Sequence, residues 1–209
     1  MELFDYVRSS SAYRVRICLN LKGIKYDANA INLLEKQQSS EQYKKVNPQG
    51  LVPALKDGDN LITQSIAICE YLEEKYPDTP AILPSDLMAK THVKTLALSI
   101  GCDIQPLNNL RILNYLVQDM GLSDEQKMTW YHHWIKEGFT ALESQLASSE
   151  YTGDFCCGNE PGLADICLVP QVFNANRFKV AMENYPTINR IVANCEKLEA
   201  FAKAHPDNQ

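Results

Sequence analysis

What is scarce in this chain narrows the reading first. No stretch reaches the ~18 unbroken apolar residues that a membrane helix needs, and the most apolar short segment, around Ile166 to Val169, falls far short of it. The opening residues, Met1-Glu2-Leu3-Phe4-Asp5, have neither the basic block nor the apolar block of a secretory signal. Lysine and arginine number 20 against 26 aspartates and glutamates, a formal charge of −6. The basic residues form no long run, so no nucleic-acid partner is expected. There is no Cys-x-x-Cys, and His132 and His133 are neighbours that would point to different sides of a helix, so no metal site is expected. The seven cysteines (Cys18, Cys69, Cys102, Cys156, Cys157, Cys167, Cys195) are odd in number and irregularly spaced. Most adjoin apolar residues, as in Ile17-Cys18-Leu19, where a free cysteine acts as a small buried hydrophobe. Such thiols suit a reducing, cytoplasmic compartment rather than a disulfide framework. What remains is a soluble globular chain of 209 residues, 45% hydrophobic, expected to form one large or two small domains.

The first part of the chain alternates in type. Residues 2–6 read as a strand, and 12–21 as a helix with Val15 and Leu19, and Ile17 and Leu21, each four apart. Lys22-Gly23 stops it, because glycine accepts the left-handed C-cap conformation. A strand over 25–31, a short helix over 41–46 and the turn Asn47-Pro48-Gln49-Gly50 follow. Pro53-Ala54-Leu55-Lys56, the turn Asp57-Gly58 and Asn60-Leu61-Ile62-Thr63 signal a hairpin, and 65–76 a helix. The order β-α-β-α-β-β-α predicts an α/β domain over residues 1–80. Three prolines without periodicity mark 77–85 as a linker. From 86 to 209 the pattern is helical. Val93, Leu96, Ile100, Ile104, Leu107 and Leu110 step by three and four along one helix that Pro106 is expected to bend. Ser123-Asp124-Glu125-Gln126 has the form of a capping box opening a long helix, and further helices are expected over 162–176 and 185–204. An α/β domain followed by an all-α domain is the architecture this order predicts.

Several polar positions admit two readings. Arg8-Ser9-Ser10-Ser11 lies between the first strand and helix, where a serine caps the orphan N–H groups. A hydroxyl at a helix N-terminus also donates to a thiolate and lowers its pKa, and both readings hold if different serines serve each. Val52-Pro53 is either an edge-strand proline or a cis peptide whose neighbouring backbone pairs with an extended peptide. Ser65, after Gln64, either caps its helix or holds a carboxylate there. Gln105 and Asn109 are four apart on one expected helix face, with Arg111 beyond, as solvated or as functional groups. Arg177 ends a helix, where a cation suits the dipole.

Taken together, these residues resemble a family. Arg8-Ser9-Ser10-Ser11-Ala12-Tyr13-Arg14-Val15-Arg16-Ile17-Cys18-Leu19 is similar to the zeta-class glutathione transferase signature Ser-Ser-Cys-x-Trp-Arg-Val-Arg-Ile-Ala-Leu. Asn47-Pro48-Gln49-Gly50-Leu51-Val52-Pro53 and Gln64-Ser65 look like the family's turn and γ-glutamyl site. Ile104-Gln105-Pro106-Leu107-Asn108-Asn109-Leu110, Ala164-Asp165-Ile166-Cys167-Leu168-Val169-Pro170-Gln171 and the run Asn174 to Val180 resemble its helical-domain segments. The likeness spans nearly the whole chain.

The resemblance implies a thioredoxin-like N-terminal domain, a helical C-terminal domain, glutathione as cofactor and a homodimer. It implies that Ser9 donates to the glutathione thiolate, with Ser10 and Ser11 at the same helix start. Gln38, Val52, Gln64 and Ser65 would hold the peptide, and Gln105, Asn109 and Arg111 would close the site from the helical domain. Arg8 and Arg177 would take the carboxylates of a small dicarboxylate substrate, since the guanidinium fork suits them. The implied activity is maleylacetoacetate isomerisation, a step in phenylalanine and tyrosine breakdown. There, thiolate addition turns a cis double bond into a single bond that rotates, and expulsion gives the trans fumarylacetoacetate. Maleylpyruvate isomerisation, or general transfer of glutathione to small electrophiles, are the alternatives. Two departures stand out: the signature's Cys is Ser11 and its Trp is Tyr13. The family's Ser/Thr-x-x-Asp helix cap reads Gly162-Leu163-Ala164-Asp165, and a glycine N-cap costs only a few tenths of a kcal/mol.

Overall fold

The computed structural model describes residues 1–209. It divides into two compact units, one of residues 1–83 with 196–209 and one of residues 84–195. In the first, strands β1 (Glu2–Asp5), β2 (Asp27–Ala30), β3 (Ala54–Asp57) and β4 (Asn60–Thr63) form one sheet in the order β2-β1-β3-β4. β1 runs parallel to β2 and antiparallel to β3, and β3 pairs antiparallel with β4. Alternation splits the sheet's two faces. Leu3 lies opposite Leu55, and both are fully buried. Phe4 lies opposite Ala54 on the other face, with Val52 and with Tyr43 of helix α2 (Glu41–Val46), whose ring is 6.0 Å from that of Phe4.

Helix α1 (Ser10–Leu21) packs against α3 (Ser65–Lys75) and against α9 (Glu199–Ala204). Its stop is the expected one. Gly23 adopts φ +64°, its N–H donates to Asn20 O, and Ile24 N–H donates to Leu19 O, the paired bonds of a Schellman ending. The expected helix over 185–204 is two helices, α8 (Pro186–Cys195) and α9. The second belongs to the α/β unit because α1 binds its carbonyls. Arg16 Nε donates to Ala204 O at 3.1 Å and Asn20 Nδ2 to Ala200 O at 3.0 Å.

The second unit has helices and no strand: α4 (Leu87–Leu98), α5 (Leu110–Gln118), α6 (Asp124–Ser148), α7 (Leu163–Arg177) and α8. The single helix expected across 93–110 is interrupted. After α4 the chain widens into a π-helical segment, Ser99–Ile104, then tightens into a 3₁₀ turn over Pro106–Asn108 before α5. Pro106 thus begins a new turn instead of bending an old one. The long helix α6 opens with the expected capping box, Ser123 Oγ accepting from Gln126 N–H and Gln126 Oε1 accepting from Ser123 N–H. Gly138 permits a close crossing, since a Cβ there would lie 2.4 Å from Ile104 Cδ1.

At the start of α7 the glycine cap loses only its own half of the interaction. The buried Asp165 carboxylate still accepts from Gly162 N–H at 2.8 Å, and also from Cys156 N–H at 2.9 Å. Burial nevertheless pushes the Asp165 carboxyl above the usual range, against the pull of those N–H groups. No helix is long and apolar enough to cross a membrane.

Candidate functional site

Three junctions of the α/β unit carry most of the residues singled out in the sequence. At the first, Ser9 is the N-cap of α1. Its Oγ accepts from Ala12 N–H at 3.2 Å, and its own N–H donates to Tyr6 O at 2.8 Å. Capping therefore falls on the very serine that the family likeness assigns to the thiol, not on a different one. The two duties are compatible, because the cap uses an oxygen lone pair and leaves the hydroxyl hydrogen to donate. Ser10 is buried in the first turn, Ser11 is half-buried and Arg8 is exposed.

The second junction is the approach to β3. Tyr43 Oη and Asn47 Nδ2 both donate to Leu51 O at 2.8 Å, and Asn47 Oδ1 accepts from Gln49 N–H. Burial pushes the Tyr43 hydroxyl up to about 12, which keeps it a donor. Gly50 sits at φ +63°, and a Cβ there would come 2.9 Å from Gln38 O, so only glycine lets these two loops approach. The Val52–Pro53 peptide is cis, the geometry of the second of the two readings of that proline. Val52 is buried, yet its N–H and C=O take no main-chain partner, and Gln38 Oε1 is buried without one as well. These are unpaired polar groups of the kind with which an extended peptide can pair its own backbone.

The third junction is the start of α3. Ser65 does not cap this helix. It is the first helical residue, and the capping position belongs to Gln64, whose side chain makes no cap bond. Gln64 takes φ +71°, unusual for a residue with a side chain and most common where binding sites hold the backbone in place. Its Nε2 donates to Gln49 Oε1 at 3.1 Å. Ser65 Oγ accepts from Arg14 Nη1 at 3.3 Å, while the free first-turn N–H groups of α3 favour an anion.

In the helical unit the remaining candidates separate. Gln105 and Asn109 do not share a helix face, because the turn over Pro106–Asn108 comes between them. Asn109 caps α5, its Oδ1 accepting from Arg111 N–H at 3.1 Å, and the Arg111 side chain is exposed. Arg177 is the last residue of α7 and exposed. Its guanidinium lies 5.3 Å from the centre of the Phe178 ring, which stacks 4.2 Å from Tyr131 of α6. No group of three or more His, Cys, Asp or Glu is placed to hold a metal ion. Sequence reasoning gave no site role to Arg14, Tyr43, Asn47 or Gln49, which brace these junctions. The signal for Arg14 was a cation set, like Arg16, among the apolar residues Val15, Ile17, Cys18 and Leu19 of one helix.

Comparison with known proteins places the chain. Residues 3–80 match the glutathione S-transferase N-terminal domain and residues 134–199 the glutathione S-transferase C-terminal domain. The chain is 47% identical to a probable maleylacetoacetate isomerase of Vibrio cholerae, across 99% of this chain and 96% of the relative. A solved maleylpyruvate isomerase, described as a bacterial glutathione S-transferase of the zeta class, superposes with a TM-score of 0.97 at 44% identity, covering 100% of this chain and 98% of the other.

The chain belongs to the glutathione S-transferase family, in its zeta class. Its α/β unit is the thioredoxin-like domain of that family and its second unit the helical domain. A further similar structure, the maleylacetoacetate isomerase of Methylobacterium extorquens AM1, was solved with malonate and glutathione bound. It has a TM-score of 0.97 and 36% identity, over 100% of this chain and 98% of that one.

Proposed function

We propose that this transferase is a maleylacetoacetate isomerase, converting maleylacetoacetate to fumarylacetoacetate with glutathione as cofactor. The observation that carries the reading is the set of unpaired groups at the three junctions, which fits a peptide thiol with an α-carboxylate at one end. Val52 N–H and C=O would pair with the peptide's backbone, and Gln38 Oε1 would accept from it. Gln64, Ser65 and the start of α3 would hold the γ-glutamyl carboxylate, and Ser9 with Ser10 and Ser11 would face the sulfur. The relative solved with glutathione and the dicarboxylate malonate is consistent with both halves of this chemistry.

Bound glutathione supplies a thiolate that makes the cis double bond temporarily single. Everything else falls to the chain. Ser9 keeps its hydroxyl hydrogen available, so it can donate to the sulfur and, with the N-terminal end of the α1 dipole, hold it ionised near pH 7. Arg8 and Arg177 are the proposed partners of the substrate carboxylates, orienting the substrate and countering the negative charge that develops on it. Gln105, Asn109 and Arg111 complete the proposed binding set.

The proposed setting is phenylalanine and tyrosine breakdown in the cytoplasm, with the enzyme as a homodimer. Full-length similarity to a maleylpyruvate isomerase favours one second reading, the same chemistry on a shorter substrate. A cofactor is regenerated, so substoichiometric glutathione should support many turnovers per molecule, with free thiol undiminished at the end. Consumption of one glutathione per substrate would assign a conjugating transferase instead.

A further inference from the structure

Helix α1 and its C-cap residue Lys22 carry three buried cations, and only two of them meet a carboxylate. Arg16 Nη1 lies 2.8 Å from Asp5 Oδ2, and Lys22 Nζ lies 2.6 Å from Glu73 Oε2. Arg14, 2% exposed, has no acidic partner within the chain. Its Nη1 donates to Ser65 Oγ at 3.3 Å, while Nε and Nη2 are buried with no acceptor. A buried guanidinium without a counter-ion is strongly disfavoured, and an anion from outside the chain relieves it. The one group that Arg14 does touch sits in the first turn of the eleven-residue helix α3, where N–H groups and the dipole also favour an anion. Because Ser65 Oγ accepts from a guanidinium, its own hydrogen is turned away from Arg14 and is free to donate to a ligand.

We propose that Arg14 is a positioning residue for a ligand carboxylate at the start of α3. It acts through Ser65, fixing that hydroxyl as a donor and setting a positive charge behind it. Building on the glutathione reading above, the anion is the α-carboxylate of the γ-glutamyl residue, which supplies the counter-charge that Arg14 lacks within the chain. Arg14 itself touches neither the sulfur nor the substrate, so its effect is on affinity for the anionic end of the cofactor and not on the chemistry of the thiol.

The test is calorimetric binding of two probes, glutathione and 4-aminobutyryl-cysteinyl-glycine, which differs only in lacking that carboxylate. They are titrated into the unaltered protein, Arg14→Met, Arg14→Lys, Ser65→Ala and the Arg14→Met/Ser65→Ala double variant. The unaltered protein should prefer glutathione by about tenfold or more, the range for a hydrogen bond to a charged group. Arg14→Met should lose most of that preference while binding the analogue within about twofold of the unaltered protein, and Arg14→Met should add little in the Ser65→Ala background. A merely structural arginine would weaken both probes equally, and that result overturns the proposal, as does an unchanged preference. Should Arg14→Met fail to fold, Arg14→Lys decides. Partial preference with the analogue unaffected supports the proposal, and equal loss for both probes overturns it. Failure of the unaltered protein to bind glutathione would instead overturn the glutathione reading, and this inference with it.

Discussion

Arg16 and Asp5 meet as a buried ion pair, with Arg16 Nη1 2.8 Å from each carboxylate oxygen. The same guanidinium donates to Val7 O and to Ala204 O, so one side chain ties β1, the approach to α1 and α9 together. Removing one partner of such a pair leaves a buried charge uncompensated. Arg16→Met should therefore cost about 3–5 kcal/mol, measured as a shift in the urea unfolding midpoint. A loss under about 1 kcal/mol, the range for exposed pairs, would show that the pair is not holding the unit together.

Ser9 has two duties that separate in measurement. Ser9→Ala removes the α1 cap, worth about 1 kcal/mol of stability, and it removes the donor proposed for the sulfur. Turnover should fall about tenfold to a hundredfold, the equivalent of one hydrogen bond to a charged group, with glutathione affinity changed much less. The ultraviolet thiolate absorbance of the complex should titrate at higher pH than in the unaltered protein. An unchanged rate and titration would remove Ser9 from the chemistry.

Tyr43 gives the α/β unit a dependence on alkaline pH. Its folded-state pKa is raised from 10.0 to about 12 by burial. Its contribution to stability is therefore fully present below pH 10 and is lost as pH rises toward about 12. Unfolding measured across that window should show stability falling, with a shallower fall in Tyr43→Phe. The phenylalanine variant keeps the Asn47 bond to Leu51 O, so the turn before β3 persists at neutral pH. An identical slope in the two proteins would contradict this assignment.

Arg177 and Arg8 should act on the substrate and not on the cofactor. Replacing either with alanine should raise KM for a dicarboxylate substrate, or lower kcat, by about tenfold or more while leaving glutathione affinity within about twofold. Equal loss of affinity for both would move the arginine into the cofactor's site.

Local signals in the sequence were legible where one residue decides the geometry. Gly23 stops α1, the Ser123–Gln126 box starts α6, and the Asp57-Gly58 turn joins β3 to β4. The interruption at 99–109 was not legible, because apolar steps of three and four continue through a π-helical segment as they do through an α-helix. Nor was the division between α8 and α9: no proline or glycine lies between 187 and 204, and carbonyl bonds from Arg16 and Asn20, far off in sequence, set α9 apart.

The candidate site was legible in a different way. Ser9, Val52, Gln64 and Ser65 stood out through family likeness, while spacing alone left each with a bland role. The structure gives Ser9 its capping role, denies one to Ser65, and leaves the Val52 backbone without a main-chain partner. Arg14 and Arg16 look alike in the sequence, two apart in one helix. They differ in what lies across from them: a carboxylate and two carbonyls for Arg16, a single hydroxyl for Arg14.

The most direct test of the account is the loss of maleylacetoacetate absorbance with the purified protein, with and without glutathione, and with maleylpyruvate in parallel. The account predicts fast loss that requires glutathione, fumarylacetoacetate as the product, and a higher kcat/KM for maleylacetoacetate than for maleylpyruvate. Preference for maleylpyruvate would keep the chemistry and contradict the substrate. No glutathione-dependent loss of either would contradict the isomerase itself.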